Sequence, residues 1–135
     1  MKCATGDILK ALRHRGYRIT EQRIEIVEVL GNSAQPKTIQ ELVDCVTADE
    51  ASVYRTIDML EKERLVETVT LQNGDTVYAL HDGHHHHLVC TNCRKVVHIP
   101  CRNEHQVPHG LASFGTVTGH DVTYYGICRK CPQRV

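Results

Sequence analysis

The stretch HHHHLVCTNC, residues 84–93, decides how this chain is read. It places four consecutive histidines directly ahead of a Cys-x-x-Cys pair, Cys90 and Cys93. A second pair with the same spacing, Cys128 and Cys131, lies near the end of the chain in the run CRKC. Two such pairs supply four sulfur ligands and read as a tetrahedral zinc clamp. The clamp would tie the last residues back to the middle of the chain. Disulfides or merely buried thiols are the alternatives, and the repeated spacing argues against both. Iron also accepts four sulfurs, but two widely separated pairs among ordinary strand sequences favour redox-silent zinc.

If the histidine run begins a strand, its side chains alternate. His84 and His86 then face one way, and His85 and His87 the other. Residues two apart on one face can share an ion, so the tetrapeptide can seed two further metal sites. A solvated polar loop is the bland alternative, but tracts this rich in His and Cys read as metal binding. Cys3, Cys45 and Cys101 lie outside the pairs and read as ordinary small residues, since lone cysteines are commonly just buried.

Outward from this stretch, HHLVC, KVVHI and VTYYGIC read as strands. On the other side, LHDG at residues 80–83 breaks the pattern as a hinge would. Ahead of it, VETVTLQ and TVYAL have a period of two and are separated by Asn73, Gly74 and Asp75, a strong hairpin signal. Further back the period is 3.6. Ile8, Leu9 and Leu12 mark a first helix that Gly16 stops. Thr20 caps a second helix ending at Gly31. Thr38 and Glu41 form a capping box for a third, lined by Ile39, Leu42, Val43 and Val46. A fourth runs from about Asp49 to Arg64, with Val53, Ile57 and Leu60 inward.

Helices followed by a hairpin suggest a winged helix, with the fourth helix in the major groove and the hairpin as the wing. Ser52, Tyr54 and Arg55 would then reach base edges, Arg55 a guanine or a phosphate and Tyr54 a thymine methyl. Arg15 and Arg18 suit phosphate or minor-groove contact. A plain helical domain with a solvated charged face reads these residues equally well.

Composition adds bounds. The 135 residues carry 16 basic and 16 acidic side chains, so bulk charge argues neither for nor against nucleic acid. Charge is uneven, though, with six basic and two acidic residues up to Arg23. Only 4% of residues are aromatic and Trp is absent, a core composition that favours a metal staple. No apolar run approaches membrane-spanning length and no secretion signal opens the chain, so a cytoplasmic protein with no membrane partner is expected. The cysteines fit metal binding in a reducing compartment better than disulfides.

Together, the run SVYRTI at residues 52–57, Leu65 and Val66, HHHHLVCTNC, His120, and YGICRKC at residues 125–131 resemble the ferric-uptake-regulator family of metal-dependent repressors. The match runs in order through almost the whole chain. The resemblance implies an α+β protein: a winged-helix DNA-binding domain at 1–79, a hinge at 80–83, and a small α/β dimerisation domain at 84–135 with a four-cysteine structural zinc. It implies a homodimer that binds a palindromic, A/T-rich double-stranded operator and is not an enzyme.

In iron and peroxide sensors of the family, a His before the third helix and an acid at the end of the second wing strand bind the sensed metal. Gln35 and Ala79 stand there, and neither is a good ligand. The zinc-uptake branch instead takes an acid after the Leu-Val pair, a hinge ligand and two alternate histidines. Glu67, His81, His85 and His87 fit that set, with His81 in place of a Cys. Regulatory Zn²⁺ is therefore expected, with Ni²⁺, Fe²⁺ or Mn²⁺ as alternatives. A second regulatory site is implied at His84, His86, His105 and His120, with Glu104 the alternative to His105. His98 stands where relatives often carry Glu, as an auxiliary ligand or as nothing. Pro108 and Gly110 interrupt a helix that is normally longer. A zinc hydrolase and a passive zinc store or chaperone are the rivals from other classes. The chain has no HExxH and no deaminase-type motif, and a store leaves the helical half unexplained.

Overall fold

In the computed structural model, the described residues are 5–81, 83, 85–102 and 112–133. His84, Glu104, His105, Cys3, Asp82, Pro108 and Gly110 lie outside them. The chain divides into two compact units, residues 1–82 and 83–135.

Among the described residues, the first unit contains α1 (Thr5–His14), α2 (Glu21–Asn32), α3 (Ile39–Cys45) and α4 (Glu50–Lys62). A hairpin of β1 (Val66–Thr70) and β2 (Thr76–Leu80) follows. The helix ends follow their local chemistry. Gly16 takes a φ of +89° after α1, where Tyr17 N–H returns to the Leu12 carbonyl at 2.9 Å. The Thr20 hydroxyl accepts from Arg23 N–H, and Thr38 and Glu41 complete the capping box on α3. Gly31, in contrast, does not end α2, which runs on to Asn32. A Cβ there would collide with the Thr5 hydroxyl and come within 3.3 Å of Leu80, so the glycine serves close approach.

Ile8, Leu12, Ile26, Leu42, Val53, Ile57 and Leu60 meet in one apolar cluster, closed by Val66 and Leu80 of the hairpin. The expected inner face of α4 is therefore the buried one. Glu25 pins the α3–α4 connection: its carboxylate accepts from Thr47 N–H at 2.9 Å and Ala48 N–H at 3.2 Å. These hydrogen bonds, led by the Thr47 backbone, hold the Glu25 carboxyl below its ordinary value. The hairpin pairs Thr70 with Thr76 across a five-residue loop, and Gly74 takes a φ of +95° within it. Lys37 bridges Tyr78 and adds one rung beside β2.

The second unit contains a three-stranded sheet in the order β4–β3–β5. The strands are β3 (His85–Cys90), β4 (Val96–Pro100) and β5 (Thr123–Gly126), with a short 3-10 turn at Ala112–Phe114. β3 runs antiparallel to β4 and parallel to β5. His86, Leu88 and Cys90 share one face of the central strand by alternation, and His85, His87 and Val89 the other. Val97, Leu88 and Tyr124 are cross-strand partners on one face, and all three are exposed. No helix among the described residues is long and apolar enough to cross a membrane.

Candidate metal centres and basic cleft

The β3–β4 turn brings Cys90 and Cys93 together, and the residues after β5 bring Cys128 and Cys131 against them. Sulfur separations are 3.9 Å for Cys90–Cys131, 3.7 Å for Cys93–Cys128 and 3.5 Å for Cys128–Cys131. Sulfurs bound at about 2.3 Å to one tetrahedral zinc ion stand roughly 3.8 Å apart. The donor set therefore fits the ion in both number and spacing.

Backbone N–H groups of Cys128, at 3.3 Å, and Cys93, at 3.4 Å, point at Cys90 Sγ and hold its thiol down to about 6. The Asn92 side chain lowers the Cys131 thiol, yet Cys128, burial, Cys93 and Cys90 together push it up to about 11. Four sulfurs this close cannot all ionise without a cation among them.

Farther along β3, the histidines separate by face as alternation requires. His85 and His87 lie with His98 of β4, which pairs with His87. Their ligand nitrogens lie within 4.8 Å of one another, and the His85 and His98 rings stack at 4.2 Å. Three imidazoles suit a borderline ion such as zinc, nickel or ferrous iron. Glu67, on β1 opposite Ala79, and His81, whose N–H bonds the Leu65 carbonyl at 2.9 Å, belong to the first unit. His98 thus joins a set in which the sequence left its role open.

On the opposite face His86 is buried, and its Nε2 lies 3.1 Å from Nε2 of His120. His84, His105 and Glu104, the other expected members of this set, lie outside the described residues. Beside His120 stands Cys101, with Sγ at 3.4 Å from Nε2. Cys101 is half-buried, and its sulfur shares a polar cluster with the two imidazoles. Cys45 is exposed. Strand register could have revealed Cys101. Its place one residue past β4 puts it on the His86 face, but the register is not written in the composition of either strand.

In the first unit, Arg18, Arg23, Ser52 and Arg55 line one cleft between the start of α2 and α4. Arg55 donates to the Ser52 hydroxyl at 3.2 Å, and Ser52 in turn bonds Asp49. Tyr54 is exposed on α4. Arg23, part of the basic N-terminal end, joins the cleft through helix phase. It lies on the first turn of α2, beside Thr20 and across from α4. Arg15 is not among the residues lining this cleft. It donates to the Glu63 carbonyl at 2.7 Å and carboxylate at 3.2 Å, clasping the end of α1 to the end of α4. Tyr17 OH donates to the same carboxylate at 2.8 Å. That bond first, and Arg15 after it, keep the Glu63 carboxyl below its ordinary value.

A model of the ferric uptake regulator family matches residues 14–125. The peroxide operon regulator of Bacillus subtilis is 28% identical over 136 aligned positions, covering 95% of this chain and 93% of that protein. The ferric uptake regulation protein of Campylobacter upsaliensis is 30% identical over 132 positions, covering 90% and 85%. Among solved structures, the Helicobacter pylori ferric uptake regulator, described as having three functional metal-binding sites, superposes with a TM-score of 0.76 at 21% identity. That superposition covers 98% of this chain and 97% of the other.

Proposed function

The chain belongs to the ferric uptake regulator family, whose members are metal-responsive, DNA-binding transcription regulators rather than enzymes, and on that premise we propose that it is a zinc-responsive repressor of the zinc-uptake branch. The observation that supports the zinc reading is the gathering of three imidazoles, His85, His87 and His98. Imidazole donors suit zinc, nickel and iron better than manganese or magnesium, so the choice of zinc over iron rests on the next two positions. Gln35 and Ala79, poor ligands both, occupy the places where the resemblance expects iron- and peroxide-sensing ligands.

The regulatory ligands are Glu67 and His81 from the first unit and His85 and His87 from the second. This assignment rests on donor chemistry and on the family resemblance. When bound, the ion supplies a common attachment for ligands from both units. The first unit acts as a winged helix: α4 presents Ser52, Tyr54 and Arg55 to base edges, and Arg18 with Arg23 and Arg55 holds phosphates. Arg15, exposed and bonded to Glu63 through Nη1, adds a phosphate or minor-groove contact. Family regulators are dimeric DNA-binding proteins. The exposed Val97–Leu88–Tyr124 stripe is the surface on which two copies meet, because three apolar side chains in a row need a cover. A symmetric dimer then matches a palindromic operator in the cytoplasm. The four sulfurs hold a structural zinc.

The test is operator binding titrated against buffered free zinc, iron, nickel and manganese. Zinc is expected to tighten binding, and by linkage the operator must tighten zinc binding equally. Glu67→Ala and His85→Ala are expected to abolish the response while the dimer survives. Unchanged metal-dependent affinity in both variants sinks the assignment. The second reading is an iron or peroxide sensor, favoured by the names of the Bacillus and Campylobacter relatives. A response to iron alone, or release of DNA by peroxide from the iron-loaded protein, would establish it instead.

A further inference from the structure

We propose that Cys101, His86 and His120 form a mixed thiolate–imidazole site for a thiophilic divalent cation of the zinc class, with Cys101 as its sulfur ligand. The inference rests on the second-site reading only for the two imidazoles. The sulfur is new to that site and changes which ions it accepts.

Three strands converge to build it. His86 lies on the central strand, paired with Ile99 of β4. Cys101 is two residues beyond Ile99 and one beyond the last pair, His85 with Pro100. Positions two apart on extended backbone share a face, so Cys101 emerges beside His86 rather than beside His85. From the other side, the approach to β5 delivers His120. That approach is locked to β3 by two bonds: His87 N–H to the Val122 carbonyl at 3.1 Å, and Val122 N–H to His86 Nδ1 at 3.2 Å.

The three candidate donor atoms lie within 4.8 Å of one another, and Cys101 is not in a disulfide. His86 is only 2% exposed, and Cys101 and His120 are half-buried. A half-buried thiol against two imidazole nitrogens has the donor character that selects zinc or cobalt over manganese or magnesium. Three ligands leave a fourth position to solvent. An ion at Nε2 of His86 requires the ring proton on Nδ1, so the contact from Val122 N–H yields on binding. This site is therefore weaker than the four-sulfur cluster, and its ion can be exchanged while that cluster stays filled.

That difference makes the site measurable. The full-length protein is prepared with the four-cysteine site holding zinc and weaker ions removed by a chelator, then titrated with Co²⁺. Thiolate-to-cobalt charge-transfer absorption reports a sulfur ligand, and the His85–His87–His98 set contributes none. Zinc retained at one equivalent per chain shows that the four-cysteine site has not exchanged.

The expected result is a charge-transfer increment that saturates, survives excess Mn²⁺, and is unchanged in Cys45→Ala. Cys101→Ala and His120→Ala are expected to lose it, with cobalt affinity at this face down by at least about tenfold, since even outer partners of a metal ligand are worth 10–100-fold. Cys101→Asp is expected to recover cobalt binding without the sulfur band, which a purely structural role for Cys101 would not produce. A band that persists in Cys101→Ala overturns the proposal, as does cobalt uptake by the unmodified chain with no band. If His86→Ala abolishes uptake while Cys101→Ala is silent, the imidazoles bind without the thiol. The inference then fails and the regulator reading stands. A sulfur band in a protein whose operator affinity ignores every metal has the opposite meaning.

Discussion

Removing one sulfur from the four-cysteine cluster should unfold the second unit and leave the first intact. Cys93→Ser is the cleanest perturbation, because Cys93 is exposed and its loss opens no cavity, whereas Cys90 is buried. Besides Cys90 itself, the buried apolar side chains described in residues 83–135 are Val89 and Val96. Their burial contributes about 3–6 kcal/mol in all. Structural zinc contributes about 10–16 kcal/mol in small domains, roughly 2.5–4 kcal/mol for each of four ligands. One sulfur is therefore worth about as much as both valines. The first unit keeps its own cluster from Ile8 to Leu80 and does not draw on this term.

Hydrogen exchange read by mass spectrometry, at fixed protomer concentration and with a mild chelator present, separates the two units. Amides of β3, β4 and β5 should lose protection in Cys93→Ser, while those of α2 and α4 keep it and far-ultraviolet helicity stays near wild type. Cys45→Ser, at an exposed thiol outside the cluster, is the control and should change nothing. Full protection of β3 in Cys93→Ser after chelation would refute the staple argument.

Three further outcomes are expected. Leu88→Asp should dissociate the dimer: a charge at the centre of an apolar patch costs about 2 kcal/mol per copy, and two copies weaken association by roughly a thousandfold, seen by analytical ultracentrifugation. Full-strength dimers in that variant would place the interface elsewhere. Arg23→Ala should weaken operator binding about equally across sequences and lower the salt dependence by about one ion, while Arg55→Ala should cost about 1–3 kcal/mol and also relax base preference if it reads an edge. A salt slope untouched by Arg23→Ala would remove that residue from the phosphate contacts. In Tyr17→Phe, the Glu63 carboxyl should titrate closer to its ordinary value, followed by carboxyl NMR. Because the folded value lies below the unfolded one, this carboxylate's stabilisation is present above about pH 4.5 and fades as pH falls through the lowered value. The variant should therefore show less acid-dependent loss of stability than wild type, and an identical pH profile would show that the Tyr17 bond contributes nothing.

Much of this protein is written locally. Periodicity and caps set the four helices, because Thr20, Thr38 and Gly16 act on backbone groups within a turn of themselves. Strand alternation assigned His85, His86 and His87 to their faces, because a period of two needs no partner strand. The paired Cys-x-x-Cys spacing marked the sulfur cluster, since two residues is the gap at which both thiols reach one ion.

Other features depend on contacts between distant segments, which no local pattern encodes. Gly31 reads as a helix stop until Thr5 and Leu80 pack against it. Arg15 meets Glu63, 48 residues away, only when the ends of α1 and α4 come together. Arg23 joins Arg18 and Arg55 only when α2 docks on α4. Cys101 and His98 gain neighbours only through the β3–β4 register, since shifting the pairing by one residue would put both on the wrong face. The chain's own order thus determines which atoms can bind metal, while tertiary pairing decides which of them meet.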